Sequence, residues 1–213
     1  MTTAESGAAP AAGAVQLFCV AGCHGPRCRV PVGTSVVAFR DVAAVVKPHA
    51  YDLPGEQALD EYRGVVESTF RHQAVLPVPP GVVFRTRDVL AQWLELHYFT
   101  LMDALAFVDD RVVARVRVMR QGQEGATDAD TEAVETALVD SLRILRRHAV
   151  ATVEITDENG TAELNETSYL VEREQWPAFA EMVEAEDRRH ETLTIQCTGP
   201  WPPYDFVRMQ FGS

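Results

Sequence analysis

Four cysteines and six histidines are the side chains of this sequence best suited to ligate a metal or attack an electrophile. Cys19, Cys23 and Cys28 crowd into ten residues beside His24. Four soft ligands so close together would suit zinc. Their spacing does not, because there is no C-x2-C knuckle. Cys19 also falls inside the apolar run Val15 to Ala21, which reads as a strand. The expectation is therefore a loop with incidental thiols from Gly22 to Pro31 and Cys19 in the core. In a cytosolic chain those thiols are expected to stay reduced. The adjacent Cys23 and His24 do not make a nucleophile and base, since neighbours in sequence rarely reach the required geometry. Neither a metal nor another cofactor is expected.

The other histidines, His49, His72, His97, His148 and His190, are scattered, and no two lie four residues apart. His97 sits in an apolar helical stretch and reads as a satisfied core residue. Three adjacent acid pairs, Asp109-Asp110, Asp157-Glu158 and Glu186-Asp187, fall in turns or at helix ends. Acids there are ordinarily solvated and do not serve as general acids or bases. No nucleophile elbow, phosphate loop, dinucleotide fingerprint or H-E-x-x-H run is present. The sequence reads as that of a protein that is not an enzyme.

Two patterns could support binding instead. Arg111, Arg115 and Arg117 share one side of an alternating strand, in a half of the chain that is otherwise acidic. That is either an ordinary solvent face or a docking face for an acidic partner or for the first domain. Near the C-terminus, Thr198 to Val207 reads TGPWPPYDFV, with three prolines among four residues. The prolines fix φ and stiffen the chain. Trp201, Tyr204 and Phe206 are large surfaces on that stiff segment, beside Pro202 and Pro203. The segment is either a lid packed back on its domain or a preorganised aromatic anchor for a partner.

The elements that must position these residues follow from periodicity. The first half reads as strands at Val15–Ala21, Thr34–Phe39 and Val42–Val46, then a helix over Gln57–Ala74 with Leu59, Tyr62, Val66, Phe70 and Ala74 on one face. Pro77, Pro79 and Pro80 stop it. Val82–Phe84 suits a short edge strand. Thr86 is an N-cap for one long helix from Arg87 to about Val108. That helix carries two apolar stripes, one with Leu90, Leu94, Leu101 and Leu105, the other with Val89, Trp93 and Leu96. The second half reads β-α-β-β-α-β: Arg111–Met119, Thr131–Ala149, Ala151–Ile155, an Asp157–Gly160 turn, Thr167–Val171, Glu174–Asp187 and Thr192–Cys197. That order is the split βαβ, ferredoxin-like plan. The fold class is thus α+β with two small domains. The expected organisation is a disordered leader over residues 1–14, an N-terminal α+β domain over 15–109, a ferredoxin-like domain over 110–198, and a Pro/aromatic segment over 199–213.

Length and charge narrow the partners. The chain has 213 residues and a net charge of -12. Residues 1–119 hold 12 acidic and 11 basic residues, and residues 120–213 hold 19 and 8, so the second part alone carries -11. Grip on nucleic acid or an anionic membrane needs a basic excess, so neither partner is expected. The first 13 residues lack a basic n-region and fail as a secretory signal, and no stretch suits a bilayer span. A soluble cytoplasmic protein is expected.

The run TGPWPPYDFV closely resembles the signature ending of the gas vesicle GvpL/GvpF family, where Ser usually stands at the Asp205 position. Residues 72–84, HQAVLPVPPGVVF, with the following Val89–Phe107 helix and Arg111–Val118 strand, resemble its central segment. That segment normally reads L-P-V-R-F-G; Leu76, Pro77, Val78 and Gly81 match, while Pro79 and Pro80 replace Arg and Phe. The Ser168–Val171 strand and its helix also fit, and the resemblance runs from about Val15 to the C-terminus. It implies a non-enzymatic accessory or minor structural protein of gas vesicle formation. Such a protein would bind the main gas vesicle shell protein and other accessory proteins during nucleation or assembly, in the cytoplasm and at the gas vesicle. The family fold implied is an N-terminal α+β domain followed by a ferredoxin-like one. The competing reading of the sequence is a ferredoxin-like regulatory module binding a small ligand, which needs convergent polar groups in a pocket.

Overall fold

The computed structural model describes residues 13–23, 28–49, 55–121, 128–155 and 163–207. Most of the expected leader, the Asp157–Gly160 turn, His24 and the last residues of the C-terminal segment lie outside them. The chain divides into two compact units, Met1–Asp109 and Asp110–Ser213.

The first unit is built around β1 (Val15–Gly22). β3 (Val42–Pro48) pairs with it antiparallel on one side, and β2 (Ser35–Phe39) pairs outside β3. On the other side lie β4 (Val75–Pro77) and the two-residue β5 (Val83–Phe84). Leu17 to Ala21 are fully buried, as a continuous apolar run in a covered strand requires. Arg40 turns the β2–β3 hairpin with φ 52°, a left-handed value that tight hairpin turns demand. Helix α1 (Gly55–Phe70) buries Tyr62, Val65, Val66 and Phe70. It stops short of the expected Ala74, because the next residues are drawn into β4 and the Ala74 carbonyl accepts from the Gly22 N–H.

The expected long helix is two helices, α2 (Arg87–Leu96) and α3 (Tyr98–Val108). Thr86 caps α2 as expected, its hydroxyl accepting from the Val89 N–H at 3.2 Å. His97 lies between the helices at φ -100° and ψ 9°. It is a half-buried junction residue whose ring meets Trp93 at 4.9 Å, not a core residue. Only one of the two apolar stripes is buried: Leu90, Leu94, Leu101 and Leu105. Val89 and Leu96 of the other are exposed.

The second unit centres on β6 (Arg111–Arg120), flanked by β8 (Glu163–Glu172) and β9 (Leu193–Trp201), with β7 (Ala151–Ile155) outside β8. The sheet order is β7-β8-β6-β9 and every pairing is antiparallel. Ala114, Val116 and Val118 of β6 join Tyr169, Val171, Leu193 and Ile195 in one core. Helices α4 (Asp128–Arg146) and α5 (Trp176–Arg189) supply Val134, Leu145, Phe179 and Val183 to it. The opposite side of β6 is not uniformly polar. Val113 and its partner Leu170 on β8 are both buried there, so that side is covered too.

Candidate functional site

The two patterns singled out for binding, the arginine stripe and the proline-aromatic run, meet in the second unit. β9 continues through Gly199 and Pro200 to Trp201, which pairs with Val113 of β6. Pro202 and Pro203 are buried, and Tyr204, Asp205 and Phe206 are half-buried. The Tyr204 N–H donates to the Pro202 carbonyl at 2.8 Å and the Phe206 N–H to that of Pro203 at 3.2 Å, curling the chain. That curl brings the Asp205 carboxylate to the β6–β8 face. Arg115 Nη2 donates to Oδ1 at 3.0 Å and Oδ2 at 2.8 Å. The fully buried Ser168 hydroxyl donates to Oδ2 at 2.6 Å. Charge-assisted bonds of this kind are roughly twice as strong as neutral ones. The segment is a strap latched to its own sheet.

The stripe is consequently not an open cationic face. Arg111 Nε lies 3.0 Å from Glu172 Oε1. Arg115 and Arg117 approach Glu166 Oε1 at 3.7 and 3.6 Å. Each of the three arginines faces a carboxylate of its own unit. Trp201 is the aromatic that the strap leaves most accessible, at 38% exposure. Its indole N–H donates to the Thr198 hydroxyl at 3.1 Å, which fixes the ring. The strap thus holds a large aromatic surface in one orientation, so a partner contacting it meets a ring that has already lost its rotamer freedom.

One polar cluster escaped the sequence reading. Ser141 on α4 lies 2.9 Å from Glu186 Oε2 and 3.0 Å from His190 Nε2. Glu186 carries a carboxylate that only accepts, so the single hydroxyl proton goes to it and the imidazole N–H donates to Ser141. Arg189 Nη1 also reaches Glu186 Oε2, at 3.2 Å. Asp187 Oδ1 accepts from the Ile195 N–H at 2.7 Å. Glu186 is therefore buried, Asp187 half-buried, and both are bonded, not solvated as their place at a helix end suggests. The partners lie 45 and 49 residues away in sequence, so no local pattern announced them. The trio is not a nucleophile: Ser141 is fully buried, and no imidazole stands between it and the acid. It ties α4 to α5.

The cysteines correct another expectation. Cys23 and Cys28 are joined in a disulfide with Cα atoms 5.3 Å apart, since their five-residue separation closes a loop that brings both sulfurs together. Gln73 Nε2 donates to Cys28 Sγ at 3.0 Å. Among the described residues no group of three or more His, Cys, Asp or Glu side chains is placed to hold a metal. Burial pushes the Cys19 thiol from 9.0 up to about 12, against a weaker opposing bond from Thr69. It likewise raises the Tyr169 phenol from 10.0 to about 12 and the Cys197 thiol from 9.0 to about 11. A raised folded value on an acid favours the folded state while the group is neutral. That contribution is complete below the unfolded values and is lost as pH rises through the folded ones. Unfolding free energy from urea titrations should fall between about pH 9 and 12. A level profile through that window would mean these groups are solvated.

A cavity of about 300 Å³ lies between the end of α4 and the start of α5, lined by Arg147, His148, Gln175, Phe179 and Met182 among others. Its charged and amide groups are exposed. It lacks the convergent buried polar groups that a small-ligand site uses. No described helix is long and apolar enough to cross a membrane.

Comparison with known proteins agrees with this architecture. Gas vesicle protein F2 of Halobacterium salinarum is 30% identical over 183 residues, covering 83% of this chain and 81% of that protein. Gas vesicle protein F1 of the same organism is 26% identical over 184 residues, covering 83% and 82%. The crystal structure of gas vesicle protein GvpF from an Anabaena species superposes with a TM-score of 0.76, at 14% identity, over 93% of this chain and 100% of that one. GvpF from Microcystis aeruginosa gives 0.72, at 16% identity, over 92% and 99%. These two share the α+β fold with its two sheets. The family of gas vesicle synthesis proteins GvpL/GvpF, not a known enzyme family, matches residues 31–138 and 117–208. With the latched TGPWPPYDFV strap at its C-terminal end and both sheets in place, the chain belongs to the gas vesicle GvpL/GvpF family.

Proposed function

We propose that this chain is a non-enzymatic accessory or minor structural component of gas vesicle formation. It binds the main shell protein, and other accessory proteins, during nucleation or assembly in the cytoplasm and at the gas vesicle. The observation that carries this reading is the strap. Asp205 is anchored by Arg115 and Ser168, and Trp201 stands partly exposed on a fixed strand end. A soluble protein that handles a partner with an exposed apolar face needs such a preformed aromatic contact. Within this reading, residues 15–109 and 110–198 act as two domains. The second is ferredoxin-like, a reading supported by its element order and by the sheet order β7-β8-β6-β9 with both helices in the core. Residues 199–213 form the binding segment, with Trp201 as its principal contact.

Co-expression and pull-down with the main shell protein of the same gene cluster tests this. The wild-type chain should capture the shell protein. Trp201→Ala should retain its thermal transition and capture roughly tenfold less, the loss typical of an aromatic contact at an interface. A variant that unfolds, with capture per folded molecule intact, would reduce the strap to a lid.

A further inference from the structure

The strap is not the only surface built for contact. Helix α3 is apolar on nearly every side, a composition that belongs to a helix covered all round. Yet Phe99 is 78% exposed and Leu96, just before the junction, 79%. Phe107, two turns beyond Phe99, is 41% exposed. Two large side chains so nearly bare, three residues apart, form a patch and not a scatter. Its charge is one-sided. Between Asp88 and Val108 there is no lysine or arginine. Glu95 and Asp103 stand one turn to either side of Phe99, exposed, and neither has an ion pair among the described residues. Arg87, the basic residue at the start of α2, is turned away to bond Ser35 on β2.

We propose that the outer face of α2 and α3 docks an amphipathic helix whose apolar stripe is flanked by lysine or arginine. The apolar stripe would cover Leu96 and Phe99, and the cations would meet Glu95 and Asp103. Helix-on-helix recognition of this kind is read by anchors one turn apart, and Leu96, Phe99 and Asp103 follow one another at i, i+3 and i+7 across the His97 junction. The inference rests on the reading that this chain works by binding partners, and it names a surface in the first unit that is separate from the strap.

The test uses the full-length chain and two short synthetic amphipathic helices with the same leucine stripe, one flanked by lysines and one by glutamates. The lysine peptide should bind and the glutamate peptide should not. Phe99→Ser and Asp103→Lys should each weaken the lysine peptide roughly tenfold. The same changes at exposed positions of α4, Val139→Ser and Glu135→Lys, should leave it unchanged. Equal binding of the two peptides, or equal losses at α4, would overturn the proposal. The variants also separate it from the reading above. Shell-protein capture by the wild type that survives both Phe99→Ser and Asp103→Lys, with no peptide discrimination, sinks the surface and leaves the function standing. Peptide discrimination lost in the variants, with no capture of shell protein by the wild type, keeps the surface and sinks the shell-binding role.

Discussion

Replacing Gly199 with alanine should cost about 3 kcal/mol or more, enough to lower the thermal midpoint of the second unit by at least roughly 12 °C. Gly199 has φ +138°, a region closed to residues with a side chain. A Cβ built there would sit 2.7 Å from the Val113 carbonyl oxygen and 2.9 Å from the Trp176 ring. The oxygen belongs to the central strand of the sheet and has no freedom to retreat. The strand would have to move off β6, taking with it the Val113–Trp201 pairing and the start of the strap. Differential scanning calorimetry of Gly199→Ala beside the wild type measures the effect. A loss under about 1 kcal/mol would mean that β9 shifts freely at this point, and that the strap is not held by its entry.

The second large effect is expected at the latch. Asp205→Ala removes both bonds to Arg115 and leaves the Ser168 hydroxyl buried without its acceptor. The arginine is partly exposed and keeps Glu166 nearby, so the ion pair itself contributes modestly. The stranded hydroxyl and the freed strap account for most of a loss of about 2–3 kcal/mol. Asp205→Ser retains an acceptor for Ser168 and should lose less. Urea titration gives the stability, and limited proteolysis after Gly199 gives the release of the strap. Equal losses for Ala and Ser would assign the latch to charge. No loss for either would mean that burial of Pro202 and Pro203 alone seats the strap.

Much of the architecture was legible because it is written in local periodicity. The continuous apolar run at Val15–Ala21 predicted a strand with Cys19 in the core, and Leu17 to Ala21 are buried. The alternation of Arg111–Met119 separated the core residues Ala114, Val116 and Val118 from the arginines. Thr86 capped its helix as its type and place suggest. The run of residues that carries the family resemblance, TGPWPPYDFV, is specific because prolines and aromatics at that density are rare in an ordinary tail.

The misses share one cause. The break at His97 is not marked by proline or glycine, and the helix bends while one apolar stripe packs and the other stays outside. The Ser141–Glu186–His190 cluster and the Asp205 latch join residues far apart in sequence. The arginine stripe looked like a free face because its carboxylate partners come from β8 and from the strap.

By itself, then, the sequence determined most of the strands and helices, though not β4 or the division of α2 from α3, together with the family and the stiffness of the C-terminal run, since each depends on propensity and pattern within a short window. Only the tertiary structure decided which polar groups meet. It turned a cationic stripe into a latch, bonded a helix-end acid pair, and left Val89 and Leu96 of the second apolar stripe uncovered. The reason is physical: the free energy of a buried charge or an exposed aromatic depends on what the fold packs against it, and that neighbour is named by no residue within reach along the chain.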